Sequence, residues 1–383
     1  MATEMKLFRR ESGDSVRNKS GVGLHLCLGL FLLLFLWQPS GQGQPTSILS
    51  PDLVLPGHLF ARAVSVALDR HQHILVADAG AYHIVYFNAR GVPIDTLGRR
   101  GNGPGEFQTL TRIATSPEGD WLFVLEDMPR RVHRWRLHPG LRHIDTRTFP
   151  SLPPPARWPL ELWAISADTL ILRFAASLID AGFHGLYRYQ WSNRQLHLLL
   201  PLRENEVIRR EGRRTIFPFL ARQLVAVRPP HGIVLAWSDS LQVVLHDLNG
   251  HVQARRRFRA PSPPPLTSED WARARRLDTR FAAASLPRLK RTHWPYIDDL
   301  LLDDVGNIWV RLTRGWPDEQ RQSTRYLVLT PRGNLQTVDL EGPIDLEVVQ
   351  NGRALGLRRE PDGTRSVVVF SRIRLRQQGA TQE

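Results

Sequence analysis

Val76-Ala77-Asp78-Ala79-Gly80-Ala81-Tyr82-His83-Ile84-Val85-Tyr86-Phe87 holds two β-rich runs on either side of a polar, glycine-bearing turn, and the same plan returns along the chain. Its first run begins as Ile74-Leu75-Val76. Counterparts stand at Leu122-Phe123-Val124, Leu170-Ile171-Leu172, Ile233-Val234-Leu235, Ile308-Trp309-Val310 and Ala354-Leu355-Gly356-Leu357. Their first residues are 48, 48, 63, 75 and 46 positions apart, which is a unit of about 47 residues with two enlarged members. Six such units predict radial four-stranded sheets, each burying its faces against its neighbours.

Turn chemistry recurs at matching phase. Asp69-Arg70-His71-Gln72, Pro117-Glu118-Gly119-Asp120, Pro229-Pro230-His231-Gly232, Asp304-Val305-Gly306-Asn307 and Gln350-Asn351-Gly352-Arg353 each precede a second run. Asn88-Ala89-Arg90-Gly91, Leu248-Asn249-Gly250-His251 and Pro331-Arg332-Gly333-Asn334 follow a third. Gly, Asn, Asp and Pro favour hairpin connections at these points.

With Gly98-Arg99-Arg100-Gly101-Asn102-Gly103-Pro104-Gly105-Glu106-Phe107 behind it, the opening stretch resembles the NHL-type repeat of bacterial exported six-bladed β-propellers. The resemblance covers residues 64 to 110 directly and the other five units by pattern. Where that repeat usually has Asn-His-Arg, this chain has Ala81, Tyr82 and His83. The resemblance implies an all-β six-bladed β-propeller, closed by an N-terminal strand around Leu53-Val54-Leu55 that completes the C-terminal sheet and removes an open edge.

Two insertions account for the long spacings. Residues 201–222, with Arg209, Arg210, Arg213 and Arg214, predict a basic loop or hairpin ending in Phe217-Pro218-Phe219. Residues 261–292 predict one helix: Thr267 as N-cap, Glu269 and Asp270 in the first turn, Leu266 and Trp271 as a hydrophobic staple, and Trp271, Ala274, Leu277, Phe281 and Ala284 on one face. That helix either caps the sheets with solvated arginines or forms a lid or docking surface.

The N-terminus reads as an export signal. A basic segment with Lys6, Arg9, Arg10, Arg17 and Lys19 precedes the apolar run from Val22 to Trp37, and Gly41 and Gly43 supply small residues before a cut at Gln44. Residues 1–43 are therefore expected to be a cleaved signal or an uncleaved anchor, and residues 44–383 the propeller. Cys27, the single cysteine, lies inside the run without a lipobox, so the chain after position 43 has neither disulfides nor thiolate chemistry.

Of the 383 residues, 42 % are hydrophobic and 23 % charged, which excludes a disordered or collagen-like chain. The net charge is +14, but 48 of the 51 basic residues are arginine, a ratio that reads as coding bias rather than selection for phosphate contacts. No basic run with interleaved aromatics appears, which disfavours nucleic acid. The expected partner is a protein or an anionic glycan or small molecule, with membrane contact only through an uncleaved N-terminal segment.

No His-Glu-x-x-His, Gly-x-Ser-x-Gly, P-loop or dinucleotide motif occurs, and no catalytic residue is assigned. In NHL-type units the turn after the second strand and the turn between units share one face around the central channel. The resemblance therefore places Arg99, Arg100, Arg130, Arg311 and Arg314 there, as a cationic rim for carboxylate, sulfate or acidic glycan groups with Trp316 for stacking, or else radiating into solvent. Some exported relatives are lyases or lactone hydrolases that bind a divalent metal in the channel. Under that alternative Asp78, Glu126 and Asp239 would hold Ca²⁺ or another divalent metal, although an acid ending a strand beside a turn also bonds turn backbone N–H groups. The leading expectation is an exported, periplasmic or extracellular binding module without a cofactor.

Overall fold

The computed structural model describes residues 48–149, 157–175, 184–210, 213–277, 291–316, 321–371, 373 and 375. The N-terminal apolar run, Phe281 and Ala284 lie outside them, and no described helix is long and apolar enough to cross a membrane.

The chain forms a six-bladed β-propeller. The first four blades are built from Ala63–Leu68, Ile74–Asp78, His83–Phe87 and Pro93–Leu97; from Arg112–Thr115, Trp121–Glu126, Arg131–Arg136 and Arg142–Thr148; from Trp158–Ala164, Thr169–Ala175, His184–Gln190 and Gln195–Leu202; and from Gln223–Arg228, Gly232–Trp237, Gln242–His246 and Val252–Arg257. The fifth contains Ile297–Leu302, Ile308–Leu312, Ser323–Leu329 and Leu335–Glu341, and the sixth Ile344–Gln350, Arg353–Arg359 and Arg365–Phe370. All six apolar runs aligned in the sequence are second strands, as their spacing predicts.

Alternation along these strands explains the ring. In the first blade Ile74 and Val76 pack toward the sixth, whereas Leu75 and Ala77 pack toward the second. Each second strand is buried on both faces, so it reads as continuous apolar sequence rather than as half-exposed alternation. A buried apolar cluster fills each of the six gaps between neighbouring blades, including the gap between sixth and first. The ring closes where expected: Leu53–Leu55 becomes the outer strand of the sixth blade, with Leu53, Val54 and Leu55 opposite Val369, Val368 and Val367. One addition was not foreseen: Ile48–Leu49 lies parallel to Leu340 and Asp339 as a fifth strand on the fifth blade.

The insertions build a small satellite core. Ile208–Arg210 and Arg213–Thr215 form the short hairpin, and Ser268–Leu277 is the one α-helix among the described residues. Thr267 caps it reciprocally: the Asp270 N–H donates to Thr267 Oγ1 at 3.1 Å and the Thr267 N–H to Asp270 Oδ2 at 2.8 Å. Phe217, Phe219, Trp294 and Trp316 pack with Ala274, Leu266 and Trp271. Leu277 departs from the expected face, being 67 % exposed at the helix end.

Candidate functional site

The first strand of every blade lines a central cavity of about 200 Å³. Four of these inner strands carry a β-bulge, between Ala63 and Ser65, Pro159 and Glu161, Ile297 and Asp299, and Leu346 and Val348. A bulge adds one residue to one strand and re-aims its side chains. Ser65, Arg112, Glu161 and Asp299 then fall in one register, pairing with Ala77, Leu125, Arg173 and Arg311, each three residues past the start of its second run. Glu347, the bulged residue of the sixth blade, joins them.

Arg112 is the hub of this layer. Its Nη1 reaches across the first blade's inner strand to both carboxylate oxygens of Glu347, at 2.8 and 2.9 Å, and Ser65 Oγ lies 3.5 Å from Glu347 Oε2. Glu347 holds Arg112 above the usual guanidinium range, with further support from the charges of Glu161 and Asp299. The remaining arginines are committed as well. Arg311 binds Asp298 and Asp345, Arg314 Nη2 donates to Asp345 Oδ1 at 2.7 Å, and Arg222 Nη2 donates to the Asp298 carbonyl at 2.6 Å.

Two carboxylates are left with weak partners. Asp299 Oδ2 lies 3.6 Å from Arg311 Nη1, beyond hydrogen-bonding reach, and Asp299 accepts the neighbouring Leu300 N–H at 2.9 Å. Glu161 has a single 3.4 Å contact from Arg173, whose Nε is buried without a partner among the described residues. Burial pushes the Asp299 carboxyl up to about 6; Arg311 opposes this and the Asp298 and Asp345 charges add to it. Although 38 % of its side chain is open to the narrow channel, protein surrounds it on all sides. Burial likewise raises Glu347, against the pull of Arg112. Asp345 is held low because Arg311 and Arg314 outweigh its burial.

The residues singled out in the sequence are dispersed. Arg311 and Arg314 belong to the channel network and already hold carboxylates. Arg99 is exposed and bonds Glu106 at 2.8 Å, while Arg100 lies 5.1 Å over the Tyr82 ring. Their loop is fixed by Gly98, at φ 79°, where a Cβ would sit 2.2 Å from the buried Phe107 ring. Arg130 reaches the Arg157 carbonyl at 3.4 Å. Trp316 is 4 % exposed: its indole N–H donates to Asp270 at 2.7 Å, Arg273 covers its ring at 4.5 Å, and Trp294 and Phe219 pack edge-on.

Asp78 accepts the backbone N–H groups of Ala61, Arg62, Gly80 and Ala81. Glu126 takes those of Gln108 and Thr109 together with Arg131 and His133, and Asp239 pairs with Arg291. These three acids sit in different blades, and no group of three or more His, Cys, Asp or Glu among the described residues is arranged to hold a metal ion. Sequence reasoning missed Arg112, Glu161, Asp299 and Glu347, because the comparison of units stopped at the second runs. Extending it one strand upstream aligns a polar residue in five of the six units, Asp345 opposite Leu357 being the fifth.

The sequence matches no protein-family profile and no curated protein. Solved structures that it resembles include a gluconolactonase from Xanthomonas campestris, with 11 % identity, 87 % of this chain and 98 % of that one covered, and a TM-score of 0.46. The calcium-binding regucalcin of Agrobacterium tumefaciens has 9 % identity, 84 % and 95 % coverage, and a TM-score of 0.47. Virginiamycin B lyase of Staphylococcus aureus has 7 % identity, 82 % and 85 % coverage, and a TM-score of 0.41. The likeness is one of fold.

Proposed function

We propose that the protein is an exported binding module that holds a small ligand in its central channel, against the layer of Arg112, Glu161, Asp299 and Glu347. One observation carries this reading. Around a cavity of about 200 Å³, two guanidiniums, Arg112 and Arg228, stand with three carboxylates, and two of these carboxylates lack a close partner. Stability alone does not favour such an arrangement, since taking a carboxylate out of water without a close partner costs free energy, a cost lessened here by the part of each side chain that stays open to the channel. Sites that bind accept that cost. Arg311 and Arg314, the two arginines of the expected cationic rim that reach this layer, bring their own carboxylates with them.

The test is a plug. A panel of small cationic, neutral and anionic compounds is screened by native mass spectrometry against the wild type and against Ala114→Phe, which narrows the cavity from its wall. At least one compound is expected to bind the wild type at one per chain and to lose binding in the variant while far-ultraviolet circular dichroism is unchanged. Ligands bound equally by both proteins would reject a channel site. Export is tested by N-terminal sequencing of the protein from the cell envelope: a start at Gln44 supports a cleaved signal, and retention of residues 22–37 supports an anchor.

A further inference from the structure

We propose that the channel selects a small organic cation, an ammonium or guanidinium compound, because Asp299 and Glu161 face the cavity while every arginine around them is already engaged. The inference rests on the channel reading above and names the ligand class for that site.

The charge inventory of the layer points one way. Arg112 gives Nη1 to both oxygens of Glu347. Arg311 is held between Asp298 and Asp345, which leaves Asp299 Oδ2 at 3.6 Å. Arg173 turns Nη2 to the Gln223 carbonyl at 3.2 Å and offers Glu161 one contact of 3.4 Å. Arg228, which also lines the cavity, is held by the Gln350 side chain at 2.7 Å, and Arg222 by the Asp298 carbonyl, rather than by carboxylates; an incoming anion would still add like charge to Asp299, Glu161 and Glu347. A bare divalent ion seeks roughly six to eight close oxygens, and no such grouping occurs among the described residues. An ammonium or guanidinium needs only one or two carboxylates, at charge-assisted hydrogen-bond distance.

Size and walls narrow the class. A space of about 200 Å³ has room for on the order of a dozen waters, hence for a molecule of roughly ten non-hydrogen atoms. Its lining includes Trp163, Val225, Leu300 and Val348, apolar surface suited to a short methylene chain behind a charged head.

The probe is agmatine, which carries a guanidinium and an ammonium on a four-carbon chain, with citrate and calcium chloride as comparators, titrated by calorimetry at pH 7.5. Agmatine is expected to bind saturably at one per chain, about tenfold more weakly to Asp299→Asn and severalfold more weakly to Glu161→Gln. Melting curves verify that each variant is folded, and the two substitutions serve as independent checks. Citrate or calcium binding in place of agmatine, binding of none of the three, or agmatine affinity unchanged in both variants would overturn the inference. The two readings fail separately. An anionic or neutral ligand abolished by Ala114→Phe keeps the channel site and removes the cation, whereas agmatine binding that survives the plug places the cation site elsewhere.

Discussion

Asp69 and Asp299 are the same side chain in opposite settings. Asp69, fully buried in the first hairpin turn, accepts the backbone N–H groups of His71 and His73, the Tyr86 hydroxyl and His138 Nε2. Burial raises its pKa, but these donors outweigh burial and hold the carboxyl below its ordinary range. Asp299 has one adjacent N–H and a distant arginine, and burial wins. Both positions are enclosed, so enclosure does not separate scaffold from site; the number of donors does. Glu126 falls with Asp69, held low by His133, Arg131 and two backbone N–H groups against its burial.

The comparison breaks most visibly at Asp69. Asp69→Ala strands two turn N–H groups, the Tyr86 hydroxyl and His138, and is expected to lose about 3 kcal/mol in urea denaturation. A loss below about 1 kcal/mol would mean that its bonds do not hold the turn.

Asp299 should behave in the opposite sense. Its folded carboxyl titrates near 6, above the ordinary 3.8. Between those values the native state binds the extra proton, so this group makes stability fall as pH rises from about 4 to 6, and its penalty is fully present above 6. Asp299→Asn is therefore expected to melt on the order of 3 °C higher than wild type at pH 7.5, with the gain vanishing toward pH 4. A variant less stable than wild type at pH 7.5 would move Asp299 into the class of Asp69.

The smallest effect is expected at Arg99, whose side chain is 82 % exposed beside Glu106. Ion pairs in water contribute little, so the melting temperature of Arg99→Ala should match that of wild type within error. A clear drop in a scanning melt would show that the loop from Gly98 to Phe107 depends on this contact.

The blades were legible because second strands buried on both faces carry an unbroken apolar run of three or four residues, and because the turns supply Asp, Asn and Gly at fixed phase. The closing strand was legible for the same reason, in Leu53-Val54-Leu55. The channel layer was not. Glu161 and Asp299 stand on inner strands with no local motif, Asp299 beside only Asp298, and four bulges shift the register by one before their alignment becomes visible. Trp316 misled because its burial depends on Phe219, from the first insertion, and on Trp294, from the segment that follows the second. Arg311 was singled out as a turn residue, yet it lies within Ile308–Leu312 and works as a cross-strand partner.

The seam between the chain's two ends has a consequence for biogenesis. Gly57 donates its backbone N–H to Ser366 Oγ at 3.0 Å across 309 residues, beside the paired strands Leu53–Leu55 and Arg365–Phe370. During synthesis the early segment must wait, unpaired, until Arg365–Phe370 has emerged from the ribosome. Contacts so distant in sequence form slowly, which makes ring closure a late event and any nascent intermediate an object with one sticky strand to shield.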